Sequence, residues 1–327
     1  MQGINALTRS LLVLSAACVF PHSLLAGQPA ASPPAGEKVD LQMRLQAGKQ
    51  YKLRVVTDQK IVQQLERQEV TTTQTITIGT VMDVLSVDPS GDAKVKITYQ
   101  FVEFKQDGPM GKIEYDSRKP PETVPPAAKG FAALAGASLS ATLGPRGEPK
   151  EIKGVDEIAA RLIKAMDNVD EATKTLVEKT LKEQLGDESL KSTMSVASSF
   201  MPARPVAVGE SWTGKETIRQ LVPLQVENTS TLQQCRDGIA VIAMRSKLAS
   251  DPEAKPIDIG PIQLKVSLSG DQEGTTEVEL ASGWPVRGTL KQKLEGKMTM
   301  EGPIGAPRGK SWPVRIETTT TIDREGF

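Results

Sequence analysis

Between residues 40 and 143 apolar and polar side chains alternate with a period of two. Leu41, Met43 and Leu45 open the pattern, and Tyr51, Leu53 and Val55 continue it. The Thr-, Ile- and Val-rich run 70–87 follows, then Val95, Ile97, Tyr99 and Phe101. Successive side chains of an extended chain point to opposite faces, and β-branched residues suit it, so these runs predict half-buried strands. Asp88-Pro89-Ser90-Gly91-Asp92 reads as the turn between two of them, because Pro and Gly supply the φ values of a bend. The same outline returns after residue 201. Runs at 224–232 and 240–248 flank the turn Arg236-Asp237-Gly238, and 262–268 leads to a turn at Ser269-Gly270-Asp271. Strands are expected again at 275–280, 286–294, 298–300 and 313–322.

The period changes in the middle of the chain. Ile158, Ala159, Leu162, Ile163 and Met166 fall on one stripe of a helix that Asp156 can start. Leu176, Val177, Leu181 and Leu185 form a second stripe, and Leu190 and Met194 belong to a third segment that stops before Pro202. The predicted class is therefore α+β: two antiparallel β-meanders in a curved sheet, with a helical block at 155–200 packed on it. Both halves end a strand in a Gly/Pro turn, at Gly144-Pro145 and Gly283-Trp284-Pro285, which suggests an internal duplication. The expected boundaries are a signal peptide at 1–26, a Pro/Ala linker at 27–39, a first β-rich half at 40–154 and a second at 201–327.

At the start, Arg9 precedes an apolar run at 11–20 that continues to Leu24, Leu25 and Ala26. A positive, apolar, small-residue order marks an export signal, with cleavage expected after Ala26. Leu14-Ser15-Ala16-Ala17-Cys18 offers the alternative of a lipidated Cys18. The run falls short of the roughly 20 apolar residues that span a bilayer, so no transmembrane helix is expected in the mature chain.

Forty basic and 40 acidic residues balance and are interleaved, which removes the field that nucleic acid would need. Six Phe, three Tyr and three Trp leave a core of aliphatic residues, with Trp212 and Trp284 as plugs between sheet and helices. The single histidine is His22, inside the export segment, so catalysis by Ser-His-Asp or Cys-His is excluded from the mature chain. With Cys18 removed, Cys235 is a lone turn thiol. Asp88, Ser90 and Asp92 alternate like calcium ligands, yet no glutamate closes the loop, and a turn is the better account. Asp156-Glu157 and Asp187-Glu188 open helical segments, where carboxylates oppose the dipole. No catalytic residue, cofactor or metal is assigned.

Several of these features occur together in known proteins. The export signal, the Thr-rich early strands, Gly147-Glu148-Pro149, the helical block and Val206-Ala207-Val208-Gly209-Glu210-Ser211-Trp212 resemble an uncharacterised bacterial family of secreted or lipid-anchored proteins. In architecture alone, a curved antiparallel sheet with helices resembles the half-barrels of periplasmic lipoprotein carriers, which hold acyl chains. The expected function is an exported, non-enzymatic envelope protein with a binding or structural role, its partner unknown. One alternative is a carrier of an apolar ligand lined by Leu162, Ile163, Met166 and Leu181. The other is a hydrolase working with carboxylates.

Overall fold

The computed structural model describes residues 38–65, 68–109, 111–165, 201–218, 222–259, 262–301 and 309–324. The first half supplies β1 (Gln50–Leu65), β2 (Gln68–Val87), β3 (Ala93–Gly108), β4 (Gly111–Asp116), β5 (Ser138–Leu143) and β6 (Pro149–Lys153). The second supplies β7 (Ser211–Ile218), β8 (Leu224–Arg236), β9 (Ile239–Ser250), β10 (Ile257–Ile259), β11 (Ile262–Glu279), β12 (Trp284–Glu301) and β13 (Lys310–Asp323). All belong to one antiparallel sheet in the order β6-β5-β3-β2-β1-β13-β12-β11-β9-β8-β7, with β4 appended to β3 and β10 to β11. The two expected meanders are thus a single sheet. They are sewn together by the first and last strands, whose register runs from Arg54 opposite Asp323 to Gln63 opposite Val314.

A short segment ahead of β1 shows how far this sheet curves. Val39 forms an isolated bridge with Val206, just ahead of β7. Met43 N–H donates to the carbonyl of Pro145 in the β5–β6 turn at 2.6 Å. Arg44 N–H donates to Ser282, and Gly48 N–H to Val84 at the end of β2. Laid flat, the eleven strands from β6 to β7 would span about 48 Å at about 4.8 Å per spacing. Four residues reach at most about 14 Å, so the two edges are brought together at this end. Residues 38–49 are therefore a strap across one mouth of a strongly curved sheet.

The strap corrects one expectation. Leu41, Met43 and Leu45 alternate as a strand would, yet they lie outside any strand, and their backbone bonds go to turn carbonyls. The alternation comes from anchoring: Val39 and Leu41 are buried with Leu232, Ile242 and Val278, and Leu45 with Tyr51 and Trp284. Val39 belongs to the strap and not to a linker.

The strands β11 and β12 are longer than the sequence suggested, and no turn interrupts β11 at Gly270. Gly270 sits where the hairpin is pressed together, because a Cβ there would stand 1.8 Å from the carbonyl oxygen of Lys293. A glycine inside a strand marks such a close approach as readily as a turn.

The α+β expectation gives way to a mostly antiparallel β architecture. The described residues hold two short helices, α1 (Lys129–Leu134) and α2 (Val155–Lys164), after a 3-10 turn at Pro126–Ala128. The remainder of the expected helical block, 166–200, lies outside the described residues. Helix α2 starts behind Gly154 at φ 95°, with Asp156 and Glu157 in its first turn and Arg161 and Lys164 in its last, in the sense that complements the dipole. Its Val155 and Ile158 are buried with Leu139, Ala141 and Ile152, and Leu162 packs against the same cluster. Phe131 of α1 stacks on Phe104 of β3 with ring centroids 4.5 Å apart. Both helices thus cover inward-facing residues of the first half. Trp284, 1% exposed, lies 4.9 Å from Tyr51 in the cluster that α2 covers at the strapped end, whereas Trp212, the other expected plug, is half-buried.

Candidate functional site

The two faces of the sheet have opposite chemistry, and both patterns are set by register. On the outer face, Lys60, Glu317, Lys293, Asp271, Lys247, Glu227 and Lys215 are direct neighbours across seven consecutive strands. Charge alternates at every step, and all seven are exposed. Lys247 lies 2.5 Å from Asp271, and Lys215 2.5 Å from Glu227. Each such exposed pair adds little stability, about 0–1 kcal/mol. Together they make this face hostile to lipid, since a membrane barrel needs an apolar outer band. Among the described residues no helix is long and apolar enough to cross a membrane.

One position along each strand, on the inner face, runs a second row. Gln106, Gln74, Gln59, Thr318, Gln292, Gln272, Ser246 and Asn228 are neighbours in register across eight strands. Gln74 Nε2 donates to Gln59 Oε1 at 2.7 Å, and Gln59 Nε2 donates to Thr318 Oγ1 at 3.2 Å. Ser246 Oγ donates to Asn228 Oδ1 at 2.9 Å. This uncharged polar waist divides two apolar regions. On the strapped side lie the clusters around Trp284, Ile242 and Phe104. On the far side Ile61, Leu248, Leu268, Leu294, Met298, Met300 and Trp312 form another.

A cavity of about 340 Å³ is centred on the same row at β2, β1, β13 and β12. Its lining takes Asp58 and Lys60 on either side of Gln59, and Lys291 and Lys293 on either side of Gln292. It takes none of the inward neighbours two positions away, so the depression opens on the outer face, with the backbone of the row as its floor. Its walls are charged and polar, with Asp58 and Glu317 beside Lys60, Lys291 and Lys293 and the hydroxyls of Thr73, Thr75 and Thr319 between them.

Among the described residues, two buried polar atoms of the inner face, Thr57 Oγ1 and Trp312 Nε1, have no partner. Both residues are 4% exposed. Trp312 stands opposite Met298, in the apolar region beyond the waist. An unpaired buried N–H costs about 1–3 kcal/mol and asks for an explanation. Glu216 of β7 is a half-buried carboxylate on the inward row of Val226, Leu248, Leu294 and Ile316, and burial raises its pKa.

The sequence candidates are dispersed. Leu162 packs into the core below α2, Ile163 is half-buried, and neither lines the cavity. Met166, Leu181, Cys18 and His22 lie outside the described residues, as do Asp187 and Glu188. Cys235 is half-buried at the end of β8, and burial pushes its thiol up, away from the reactive thiolate. Asp88 Oδ1 accepts from Ser90 Oγ and from the N–H groups of Ser90 and Asp92, chiefly the hydroxyl bond lowering its pKa, so this loop is a hydrogen-bonded turn. Among the described residues no three His, Cys, Asp or Glu side chains are grouped to hold a metal. Trp312 and the polar row were not singled out from sequence. A buried Gln in a strand reads as an outward one until its neighbours are known.

Likenesses to solved structures are weak. An outer membrane channel from Pseudomonas putida F1 is similar at 6% identity over 86% of this chain and 97% of that one, with a TM-score of 0.22. OpdQ of Pseudomonas aeruginosa is similar at 7% identity over 84% and 97%, with a TM-score of 0.15. Scores this low carry no argument about fold or function. Among curated proteins none matches the chain. Residues 90–285 match the profile of the Family of unknown function (DUF6263), and the chain belongs to that family.

Proposed function

We propose that this is an exported, non-enzymatic binding protein of the cell envelope, which holds an apolar ligand against the inner face of its curved sheet. The observation that carries the reading is the contrast between faces. The outer face spends its charge on a ladder of neighbouring opposite signs. The inner face is mainly apolar on both sides of the waist, with Thr57, Gln63 and Glu216 as isolated polar groups, and the strap closes one mouth. Export rests on the apolar run at 11–20 and the small residues around Ala26. The hydrolase alternative finds little support, because Glu216, the carboxylate raised by burial, faces Val226 across the ladder and not a second acid.

A purely structural role is the second reading, favoured by the packing of Trp284, Phe104 and Leu162 at the strapped side. Native mass spectrometry of the full chain recovered from the envelope of producing cells separates the two. A co-purifying apolar ligand is expected, on a chain whose mass fits cleavage after Ala26. A bare polypeptide would leave the structural role in possession.

A further inference from the structure

We propose that the indole N–H of Trp312 is the polar anchor of the ligand site, donating to the carbonyl or carboxylate oxygen of a fatty-acyl ligand. The inference deepens the apolar-ligand reading and rests on it. Trp312 is buried, it lies on the inward face of β13, and its Nε1 has no hydrogen-bond partner among the described residues. Among the described residues none bonds it: Met298 is opposite, Leu264, Val266, Met300 and Val314 share the cluster, and the buried amide of Gln63, opposite Val314, is the nearest polar side chain in register. A tryptophan used only as filler is commonly placed where its N–H reaches an acceptor. Here the donor is held in apolar surroundings, and what fits is a molecule that brings an oxygen acceptor on a hydrocarbon body. A cationic or polyhydroxyl ligand would leave its own polar groups unpaired against these side chains. The flanking Met298 and Met300 are unbranched thioethers that can repack around a chain of variable shape. Thr57 does not compete for this role, because it lies eight residues away along β13 in the pairing with Thr320, next to the amide row.

The test uses oleate as probe and the mature chain from residue 27 onward. Isothermal titration calorimetry of the unsubstituted chain is expected to show saturable binding. Trp312→Phe, which keeps an aromatic ring and removes the donor, is expected to weaken it about tenfold, the worth of one hydrogen bond. Trp212→Phe should stay within about twofold. In ¹⁵N-labelled protein the Trp312 indole resonance should move downfield as oleate is added, while those of Trp212 and Trp284 hold, so the assignment stands even where a variant folds poorly. Absence of oleate binding to the unsubstituted chain would sink the carrier reading itself. Binding with an unmoved Trp312 resonance, or with unchanged affinity in a folded Trp312→Phe, would overturn the anchor alone.

Discussion

The ring of Phe101 lies over Gly79, its Cε1 2.0 Å from where a Cβ on that glycine would stand. The strand β2 is buried on both faces from Ile76 to Met82, and Phe101, 4% exposed, covers its outward side at a register shift between Gly79 and Thr80. Arg118 completes the stack, with its guanidinium 4.3 Å from the ring centroid and bonds to Asp116 and Glu103.

Gly79→Ala is therefore expected to destabilise the fold by about 1–3 kcal/mol, as overpacking of a filled site does. Because the clash is with one ring, the loss should shrink in the Phe101→Leu background. Urea unfolding of the two single variants and the double variant measures the coupling. Strict additivity would mean that the ring does not confine residue 79.

A second glycine tests the strap. Gly283, in the β11–β12 turn at φ 71°, would carry its Cβ 2.0 Å from the carbonyl oxygen of Gln42. Gly283→Ala combines left-handed backbone strain with a collision against the strap backbone. We expect it to lift the strap while the central strands hold. Amide exchange should then rise at Met43, Arg44 and Gly48, whose N–H groups bond the turns and β2, with little change in the β1–β13 ladder. Uniform exchange across the sheet would show that the strap is not a separable element.

What the sequence revealed follows from one-sided burial. Tyr51, Leu53 and Val55 alternate with Lys52 and Arg54 because one face of β1 is core and the other is solvent, and period two reports that directly. Leu41 and Leu45 gave the same signal for another reason, since an extended strap anchored at every second residue has the period of a strand. Gly270 misled because close packing between strands and a turn both call for a residue without Cβ. The polar waist was illegible: Gln59 and Thr318 are far apart in sequence and become neighbours only through the closure of the first strand on the last. The anchor Trp312 was hidden similarly, because an aromatic residue in a strand says nothing about whether its N–H finds an acceptor.

The waist yields a prediction of its own. Gln59 accepts from Gln74 and donates to Thr318, so Gln59→Leu strands the buried amide of Gln74, which is 4% exposed. A loss of about 1–3 kcal/mol is expected, the cost of an unsatisfied buried group. The double variant with Gln74→Leu removes both partners and should recover most of it. Chemical denaturation of the three variants decides this, and a double variant worse than the single one would show that the amides do more than satisfy each other.

Glu216 makes stability depend on pH in a defined sense. Burial raises its folded pKa above the ordinary value of 4.5, so the folded state keeps a proton that the unfolded chain has already released. Below 4.5 both states are protonated and the site costs nothing. Between 4.5 and the raised value the folded state binds more protons, and stability falls as pH rises, then levels off above that window. Asp116, held down chiefly by its hydrogen bond from Arg118, acts in the opposite sense and lower, its contribution lost as pH falls below its ordinary 3.8. The two windows do not overlap, so Glu216→Gln isolates the first. Urea midpoints measured from pH 4 to 8 should decline in the unsubstituted protein from just above pH 4.5 and stay nearer to flat in Glu216→Gln, which should be the more stable of the two at pH 7. Parallel curves for the two proteins would mean that the carboxylate is solvated in the folded state, and that the inward row ends at Val226.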